Sequence, residues 1–232
     1  EKVFVVWFDS VNGAYDIFVA ASDDLGKAFA KPVRVDSDKA GEAYSAYPQM
    51  VVGENGDIFV VWEDSRDELS DIYFAYSRDF GASFSSDIRL DGGDGAGVSD
   101  SFSPQIATQD GLVYVVWHDS RHGDNRNIYM NWSGDGGGTW EGSALRVESS
   151  AEGFSDSIYP KLVAYNGSAH IVWQSATEKT GYDVYYRKFT AGGFDEEESK
   201  RLDLGTGAGY ANSLRPQVAM GENGLLVAWE DR

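Results

Sequence analysis

At two places in the chain an aspartate and an arginine follow a tryptophan, in the pattern W-x-D-x-R. The pairs are Asp64 with Arg66 and Asp119 with Arg121. Such a carboxylate and guanidinium can hydrogen-bond a polyhydroxylated ligand, or they can bind each other and hold a loop in place. The pair recurs, whereas an active site needs residues that break a repetition. The structural role is therefore favoured, and ligand binding is the alternative.

Three further residues are candidates for ligand binding. His118 lies inside the second W-x-D-x-R copy, and Arg215 precedes Pro216 where tyrosine or serine precedes the corresponding prolines. Tyr159 is the third, because an exposed aromatic ring can stack on a sugar or anchor an interface. These residues form no catalytic constellation, so the sequence predicts no catalytic residue, no metal and no cofactor. Calcium in the oxygen-rich loop around Asp91 is the alternative to a solvated turn.

Composition limits the classes of partner. The chain has 232 residues, and 38 acidic against 19 basic side chains give a formal net charge of −19. This charge repels phosphate backbones and argues against nucleic-acid binding. No apolar run approaches the ~20 residues of a membrane span, so membrane insertion is not expected. Cysteine is absent, which excludes disulfides, thiolate metal sites and a cysteine nucleophile.

The elements that must position these residues repeat along the chain. Tryptophan recurs every 55 or 56 residues, at Trp7, Trp62, Trp117, Trp173 and Trp229. Proline recurs with the same period, at Pro48, Pro104, Pro160 and Pro216. An Asn-Gly or Asp-Gly dipeptide precedes each of the last four tryptophans, and this dipeptide is typical of a tight β-hairpin. The sequence therefore encodes a repeat protein with units at approximately 1–37, 38–92, 93–148, 149–204 and 205–232.

Each unit is predicted to contain four short strands, A to D, with no helix. Strand A follows the proline, strand B ends at the tryptophan, strand C is a second aromatic run, and strand D ends in an Arg-apolar pair. Four antiparallel strands repeated at this period are typical of β-propeller blades. The recurring tryptophans are expected to fill the interfaces between blades.

Between strands C and D, three units carry an octapeptide of the form S-x-D-x-G-x-x-[FW]. Its aspartate is expected to accept hydrogen bonds in a tight turn, its glycine to supply a positive φ and its aromatic ring to anchor the hairpin. A structural role is favoured for all of its residues, which are Ser22, Asp24, Gly26, Phe29, Ser77, Asp79, Gly81, Phe84, Ser133, Asp135, Gly137 and Trp140.

With these octapeptides the chain resembles the Asp-box (BNR) repeat propellers of the sialidase-like superfamily, over nearly its whole length. The fourth unit departs from the pattern, since Phe189 to Gly193 lack the serine and the aspartate. A looser or longer hairpin is expected there. About five blades are predicted, with the first and last incomplete. A closed four-bladed ring and a fragment of a six-bladed ring are the alternatives.

The resemblance places a ligand site on the face that carries the B–C and D–A loops. It implies a non-catalytic extracellular or cell-surface module that binds glycan or protein there. One alternative is a sialidase-like glycosidase, although the required set of arginines, tyrosine and carboxylates is not recognisable. The other is a structural component that self-associates through open blade edges. The aromatic residues expected near this face are Tyr44, Tyr47, Phe102, Phe154, Tyr159 and Tyr210.

Overall fold

Five antiparallel β-sheets follow one another along the chain in the computed structural model. It describes residues 2–177, 181–204, 207, 209 and 212–232, and every regular element in them is a β-strand. The second and third sheets have four strands each, which confirms the predicted all-β propeller of four-stranded antiparallel blades. In the described residues no helix is long and apolar enough to cross a membrane.

The second and third sheets are complete and contain one strand of each predicted type. The second sheet consists of Ser45–Val52 (β4), Ile58–Asp67 (β5), Leu69–Ser77 (β6) and Ile88–Arg89 (β7). The third sheet consists of Ser101–Gln109 (β8), Leu112–Asp119 (β9), Asn127–Ser133 (β10) and Leu145–Arg146 (β11). In both, the strands pair in chain order.

The fourth sheet has an additional strand. It consists of Ser155–Tyr165 (β12), Ser168–Thr177 (β13), Tyr182–Thr190 (β14), Gly193–Phe194 (β15) and Lys200–Arg201 (β16). Thr190 pairs with Gly193, so a two-residue turn joins β14 to β15. The expectation of a looser or longer hairpin in the fourth unit is therefore wrong. The short added strand β15 closes this hairpin, whereas the octapeptide closes the corresponding hairpins of the first three sheets.

The first and last sheets are shorter. The first consists of Val3–Asp9 (β1), Asp16–Ser22 (β2) and Val33–Arg34 (β3), and the last of Ser213–Gly221 (β17) and Gly224–Asp231 (β18). In the described residues β17 pairs with β18 and not with β1. The alternative of a closed four-bladed ring, which needs β17 to complete the first sheet, is therefore wrong. A larger ring stays a prediction.

Apolar residues between consecutive sheets form the core. Trp62 packs with Ile17 and Val19 of the preceding sheet, and Trp117 packs with Phe74 of the sheet before it. Trp173 belongs to the equivalent cluster between the third and fourth sheets. Each of these tryptophans is at most 1% exposed. Their burial, at roughly 25 cal/mol per Å² of apolar surface, is a main source of cohesion between the sheets.

The octapeptide hairpins share one hydrogen-bond pattern. In the second sheet, Ser77 Oγ donates to Asp79 Oδ1 at 2.8 Å and accepts from the amide of Gly81 at 2.8 Å. Asp79 Oδ1 accepts from the amide of Ser83 at 2.9 Å. The first and third copies repeat these bonds. The serine and aspartate thus close the turn through hydrogen bonds within the hairpin.

Candidate functional site

A cavity of about 720 Å³ lies where the inner strands of four sheets, β4, β8, β12 and β17, converge. Residues before and after each repeated proline, with three of the prolines themselves, form most of its wall, and one residue each from β5 and β9 completes it. The lining residues are Tyr47, Gln49, Glu63, Phe102, Ser103, Pro104, Gln105, His118, Tyr159, Pro160, Lys161, Arg215, Pro216 and Gln217. We call this space the central cavity.

Each of the four inner strands has a β-bulge at its proline. The pairing register shifts there, for example between Ala46 and Gln49 of β4. In each bulge the residue before the proline has a φ of +52° to +56°, a left-handed conformation rare outside glycine. These residues are Tyr47, Ser103, Tyr159 and Arg215. A bulge redirects a side chain, and a conformation that costs on the order of 1–2 kcal/mol persists only where its surroundings hold it.

Side chains of the neighbouring sheet hold two of these bulges in place. Glu63 Oε1 accepts a hydrogen bond from the amide of Ser103 at 2.7 Å, and Gln174 Oε1 accepts one from the amide of Arg215 at 2.8 Å. Glu63 and Gln174 each directly follow the repeated tryptophan of their own sheet. In these two sheets the residue after the tryptophan therefore holds part of the wall of the central cavity in place.

His118 is the corresponding residue of the third sheet and is almost fully buried. Its ring lies 6.0 Å from that of Phe102 and 6.0 Å, edge to face, from that of Tyr159. Burial, reinforced by the charge of Arg126, lowers the pKa of His118 to about 4. The imidazole is therefore neutral at pH 7, and it contributes a flat surface to the cavity instead of a charge.

One carboxylate and two cationic side chains line the cavity among the described residues. Burial raises the pKa of Glu63 to about 7, against the opposing hydrogen bond from Ser103. Lys161 Nζ donates to Gln105 Oε1 at 2.9 Å, and burial lowers its pKa. Arg215 is largely exposed and pairs with Glu230 at 3.0 Å. The cavity thus offers hydrogen-bond donors and acceptors together with two cationic groups, within a strongly acidic protein.

The two W-x-D-x-R pairs lie outside the lining of the central cavity. Arg66 donates to both carboxylate oxygens of Asp64, at 2.9 and 2.6 Å. Arg121 binds Asp119 in the same way, at 2.9 and 2.5 Å. Both aspartates are buried. Each pair forms an internal ion pair, which favours the structural interpretation of Asp64, Arg66, Asp119 and Arg121. Their ligand-binding role stays a prediction.

Further hydrogen bonds fasten each aspartate to its own sheet. Asp64 Oδ2 accepts from Ser45 Oγ at 2.9 Å and from Trp62 Nε1 at 2.9 Å. Burial acts to raise the pKa of Asp64, but the bonds from Arg66, Trp62 and Ser45 outweigh it and leave the pKa below its usual range. In the third sheet Ser101 and Trp117 bind Asp119 in the same way. We call each such group, centred on Asp64 or Asp119, an Asp–Arg tie.

The other predicted ligand-binding residues, His118, Tyr159 and Arg215, do come together in the central cavity. Of the remaining aromatic residues expected at this face, Tyr47 and Phe102 also line it. Tyr44 and Phe154 are exposed but do not line it. Tyr210 lies outside the described residues.

The carboxylates considered for calcium are bound by arginine. Arg89 contacts Asp91 at 2.7 Å and Asp94 at 3.3 Å. In the first sheet, Asp16, Asp36 and Asp38 bring their oxygens within 4.8 Å of one another. Arg34 forms ion pairs with all three. A guanidinium thus takes the place that a cation would need in both clusters, and calcium stays an untested expectation.

Sequence reasoning missed the amide and amine groups of the cavity, Gln49, Gln105, Gln217 and Lys161, and also Glu63. A signal was present, because glutamine follows the repeated proline in three units and Lys161 replaces it in the other. Once the inner strand is known to contain the proline, the next residue is a natural candidate for the cavity wall.

Comparison with solved structures shows the same fold in carbohydrate-active enzymes. The chain aligns with a Penicillium chrysogenum alpha-L-arabinanase complexed with arabinobiose at a TM-score of 0.66 and 19% identity, covering 98% of this chain and 71% of that one. A Hadza microbial sialidase aligns at 0.62 and 14% identity, covering 97% and 50%. A PL25 ulvan lyase aligns at 0.59 and 13% identity, covering 96% and 60%. No protein-family model and no curated protein matches the sequence.

Proposed function

We propose that the protein is a non-catalytic, extracellular module that binds carbohydrate in the central cavity. The observation that carries the proposal is the chemistry of the cavity wall: aromatic rings, primary amides and two cationic groups, on backbone held in four bulges. Sugar rings present apolar faces that stack on aromatic side chains and hydroxyls that need donors and acceptors. The solved arabinanase with the same fold carries an arabinobiose ligand, which supports carbohydrate as the ligand class.

We further propose that the three hairpins with the S-x-D-x-G-x-x-[FW] octapeptide are Asp boxes of the sialidase-like superfamily. The repeated serine–aspartate–amide bonds support this assignment. The hairpins contribute no residue to the lining of the central cavity, so the assignment concerns architecture and not ligand binding.

A binding module is favoured over a hydrolase by the number of carboxylates. Most glycosidases place two carboxyl groups on either side of the scissile bond. Among the described residues that line the central cavity, Glu63 is the one carboxylate. Hydrolysis is the second candidate function because the pKa of Glu63, near 7, is suited to a general acid.

Equilibrium binding to immobilised and soluble oligosaccharides tests the proposal. The panel includes neutral arabino-oligosaccharides, uronic-acid oligosaccharides and sialosides, so that it distinguishes a neutral from an acidic ligand. We expect Tyr159→Ala and Arg215→Ala each to weaken binding about tenfold or more, since loss of a stacked ring or charged hydrogen bond costs about 1–3 kcal/mol. The matched control is Tyr44→Ala, which removes an exposed ring outside the cavity and should leave binding unchanged.

Assays of the same glycans for cleavage separate the two functions. Binding without product formation supports the module. Turnover that Glu63→Gln abolishes would overturn the non-catalytic proposal in favour of a hydrolase. Absence of binding to every glycan, together with concentration-dependent self-association, would favour the structural alternative.

A further inference from the structure

The fourth sheet lacks the Asp–Arg tie that the second and third sheets contain. Its segment after the repeated tryptophan reads Trp173-Gln174-Ser175-Ala176-Thr177. Ser175 stands at the sequence position of the tie's aspartate and Thr177 at that of its arginine. The sheet therefore has neither the buried carboxylate nor the guanidinium of the tie.

In the sheets that have the tie, the guanidinium lies on a tyrosine ring. The Arg66 guanidinium is 4.0 Å from the ring centroid of Tyr73, and that of Arg121 is 4.2 Å from that of Tyr129. Both distances are well within the ~6 Å range of a cation–π interaction. Each tyrosine is the cross-strand partner of the repeated tryptophan of its sheet.

The fourth sheet keeps the tyrosine and leaves the space above it open. Tyr185 is the cross-strand partner of Trp173, and the two rings stack with centroids 5.9 Å apart. Next to them is a cavity of about 280 Å³. Its lining consists of these two rings, five serines and two glutamates from the third and fourth sheets, including Ser175, Glu148 and Glu198. We call it the side cavity.

The side cavity contains a buried carboxylate that forms no ion pair with any described residue. Glu148 is 4% exposed. Its Oε1 accepts from the amide of Ile128 at 2.8 Å, whereas its buried Oε2 makes no hydrogen bond to any described residue. No ion pair joins Glu148 to the described part of the chain. A buried carboxylate without an ion-pair partner is costly, and burial raises the pKa of Glu148 to about 7 although the charge of Arg146 acts to lower it.

The equivalent carboxylates of the other sheets are all paired. Arg34, Arg89 and Arg201 form ion pairs with the aspartates two residues after them. Arg146 is the equivalent arginine of the third sheet, but it donates to the carbonyl of Ser150 and acts on Glu148 through its charge without forming an ion pair. Among these four described carboxylates, Glu148 is thus the one that forms no ion pair. It borders the side cavity, and the corresponding space in the second and third sheets holds the guanidinium of the Asp–Arg tie.

We propose that the side cavity binds an organic cation with a guanidinium group, which stacks on Tyr185 and pairs with Glu148. The Asp–Arg ties provide the internal precedent for the stacking geometry. The serines around the cavity, such as Ser175 and Ser199, provide acceptors for the remaining N–H groups. The guanidinium belongs to a free small molecule or to an arginine side chain of a peptide, and both sources present the same head group.

Calorimetric titration with n-propylguanidinium and with a blocked Gly-Arg-Gly peptide tests the proposal at pH 8, where Glu148 is ionised. Binding of either probe supports it, and the comparison identifies the source. The neutral isostere n-propylurea should bind at least about tenfold more weakly, because it lacks the charge that pairs with the carboxylate. Failure of both guanidinium probes to bind, or equal binding of the urea, would overturn the proposal.

Two variants and one control locate the site. Glu148→Gln should weaken binding about tenfold or more, whereas Glu198→Gln, the same change at an exposed glutamate of the rim, should weaken it less than about twofold. The double variant Ser175→Asp with Thr177→Arg should rebuild the tie, fill the cavity and abolish binding, with a thermal midpoint no lower than that of the original chain. Equal weakening by both glutamine variants would show general attraction to an acidic surface and overturn the site.

Discussion

The second and third sheets differ from the fourth in how they hold their tryptophan strand, although all three share one fold. In the former, a buried aspartate connects a serine, the tryptophan indole and an arginine. In the fourth, Ser157 Oγ donates to Ser175 Oγ at 2.9 Å in place of this network. The fourth sheet also closes its outer hairpin with a two-residue turn and the buried ring of Phe189.

This difference shows which parts of the repeat are needed for the fold. The tryptophan, its cross-strand tyrosine and the bulged proline strand are present in the second, third and fourth sheets. The ionic tie and the serine–aspartate hairpin are absent from the fourth, which nonetheless packs its Trp173 as tightly as the others. The apolar interface therefore defines the sheet, and the polar ties are additions that a repeat can lose or replace with a cavity.

Removal of the aspartate from a tie is the largest effect that this comparison predicts. Asp119→Ala leaves Arg121, Ser101 and the Trp117 indole without their buried acceptor, and we expect a loss of about 3–5 kcal/mol in the free energy of unfolding. Ser175→Ala, at the same position of the fourth sheet, should lose about 1 kcal/mol. Urea denaturation of both variants measures the difference. Similar losses would show that the tie contributes no more than a single serine hydrogen bond.

Substitution of Glu63, the residue after the repeated tryptophan of the second sheet, is expected to have the next largest effect on stability. The size of this effect depends on pH. The folded-state pKa of Glu63 is about 7, above its usual value of 4.5. The folded protein therefore holds this proton more tightly than the unfolded chain, and the stability present below pH 4.5 is lost as the pH rises through 7. Gln174 shows that a glutamine can accept the equivalent amide hydrogen bond.

We therefore expect Glu63→Gln to be about 2 kcal/mol more stable than the original chain at pH 8 and nearly equal to it at pH 5. The difference between the two proteins isolates Glu63, because other buried carboxylates titrate in both. Urea midpoints at the two pH values measure it. A constant difference across this range would contradict a raised pKa.

Substitutions in the outer hairpins, which are the octapeptide hairpins and the β14–β15 hairpin of the fourth sheet, are expected to have the smallest effect on stability. Ser77→Ala removes a buried hydroxyl that bonds both Asp79 and the amide of Gly81, and a loss of about 1–2 kcal/mol is expected. Thr190→Ala in the fourth hairpin removes one bond of 3.2 Å to the carbonyl of Gly193 and should lose about 0.5 kcal/mol. The thermal unfolding midpoints of the two variants show which substitution is more destabilising. The reverse order would contradict the role given to the serine–aspartate pattern.

The sequence predicted most of the fold, because the relevant signals are local. Asn-Gly and Asp-Gly turns, alternating strands and the repeated tryptophan are all visible over a few residues. The added strand β15 was not predicted, since two residues carry no periodicity. The bulge at each proline was also missed, because a left-handed residue before proline depends on its surroundings in the folded protein, such as the hydrogen bonds that Glu63 and Gln174 accept at two of the bulges.

The candidate site was less accessible to sequence reasoning. Repetition favoured a structural role for Asp64 and Asp119, and both aspartates form ion pairs, with Arg66 and Arg121, in the folded loops. Glu63 is adjacent to Asp64 and lies on the opposite side of the strand, where it meets the central cavity. Only the assembled sheets show which of two neighbouring acidic residues reaches the site.

Hydrogen exchange with and without a bound oligosaccharide tests the central claim, that carbohydrate binds where the bulged inner strands converge. The account predicts slower exchange at the cavity-lining segments, 101–105, 157–161 and 213–217, with no change at the outer hairpins around 79–83 and 135–139. Protection confined to the outer hairpins, or spread evenly over all sheets, would contradict it.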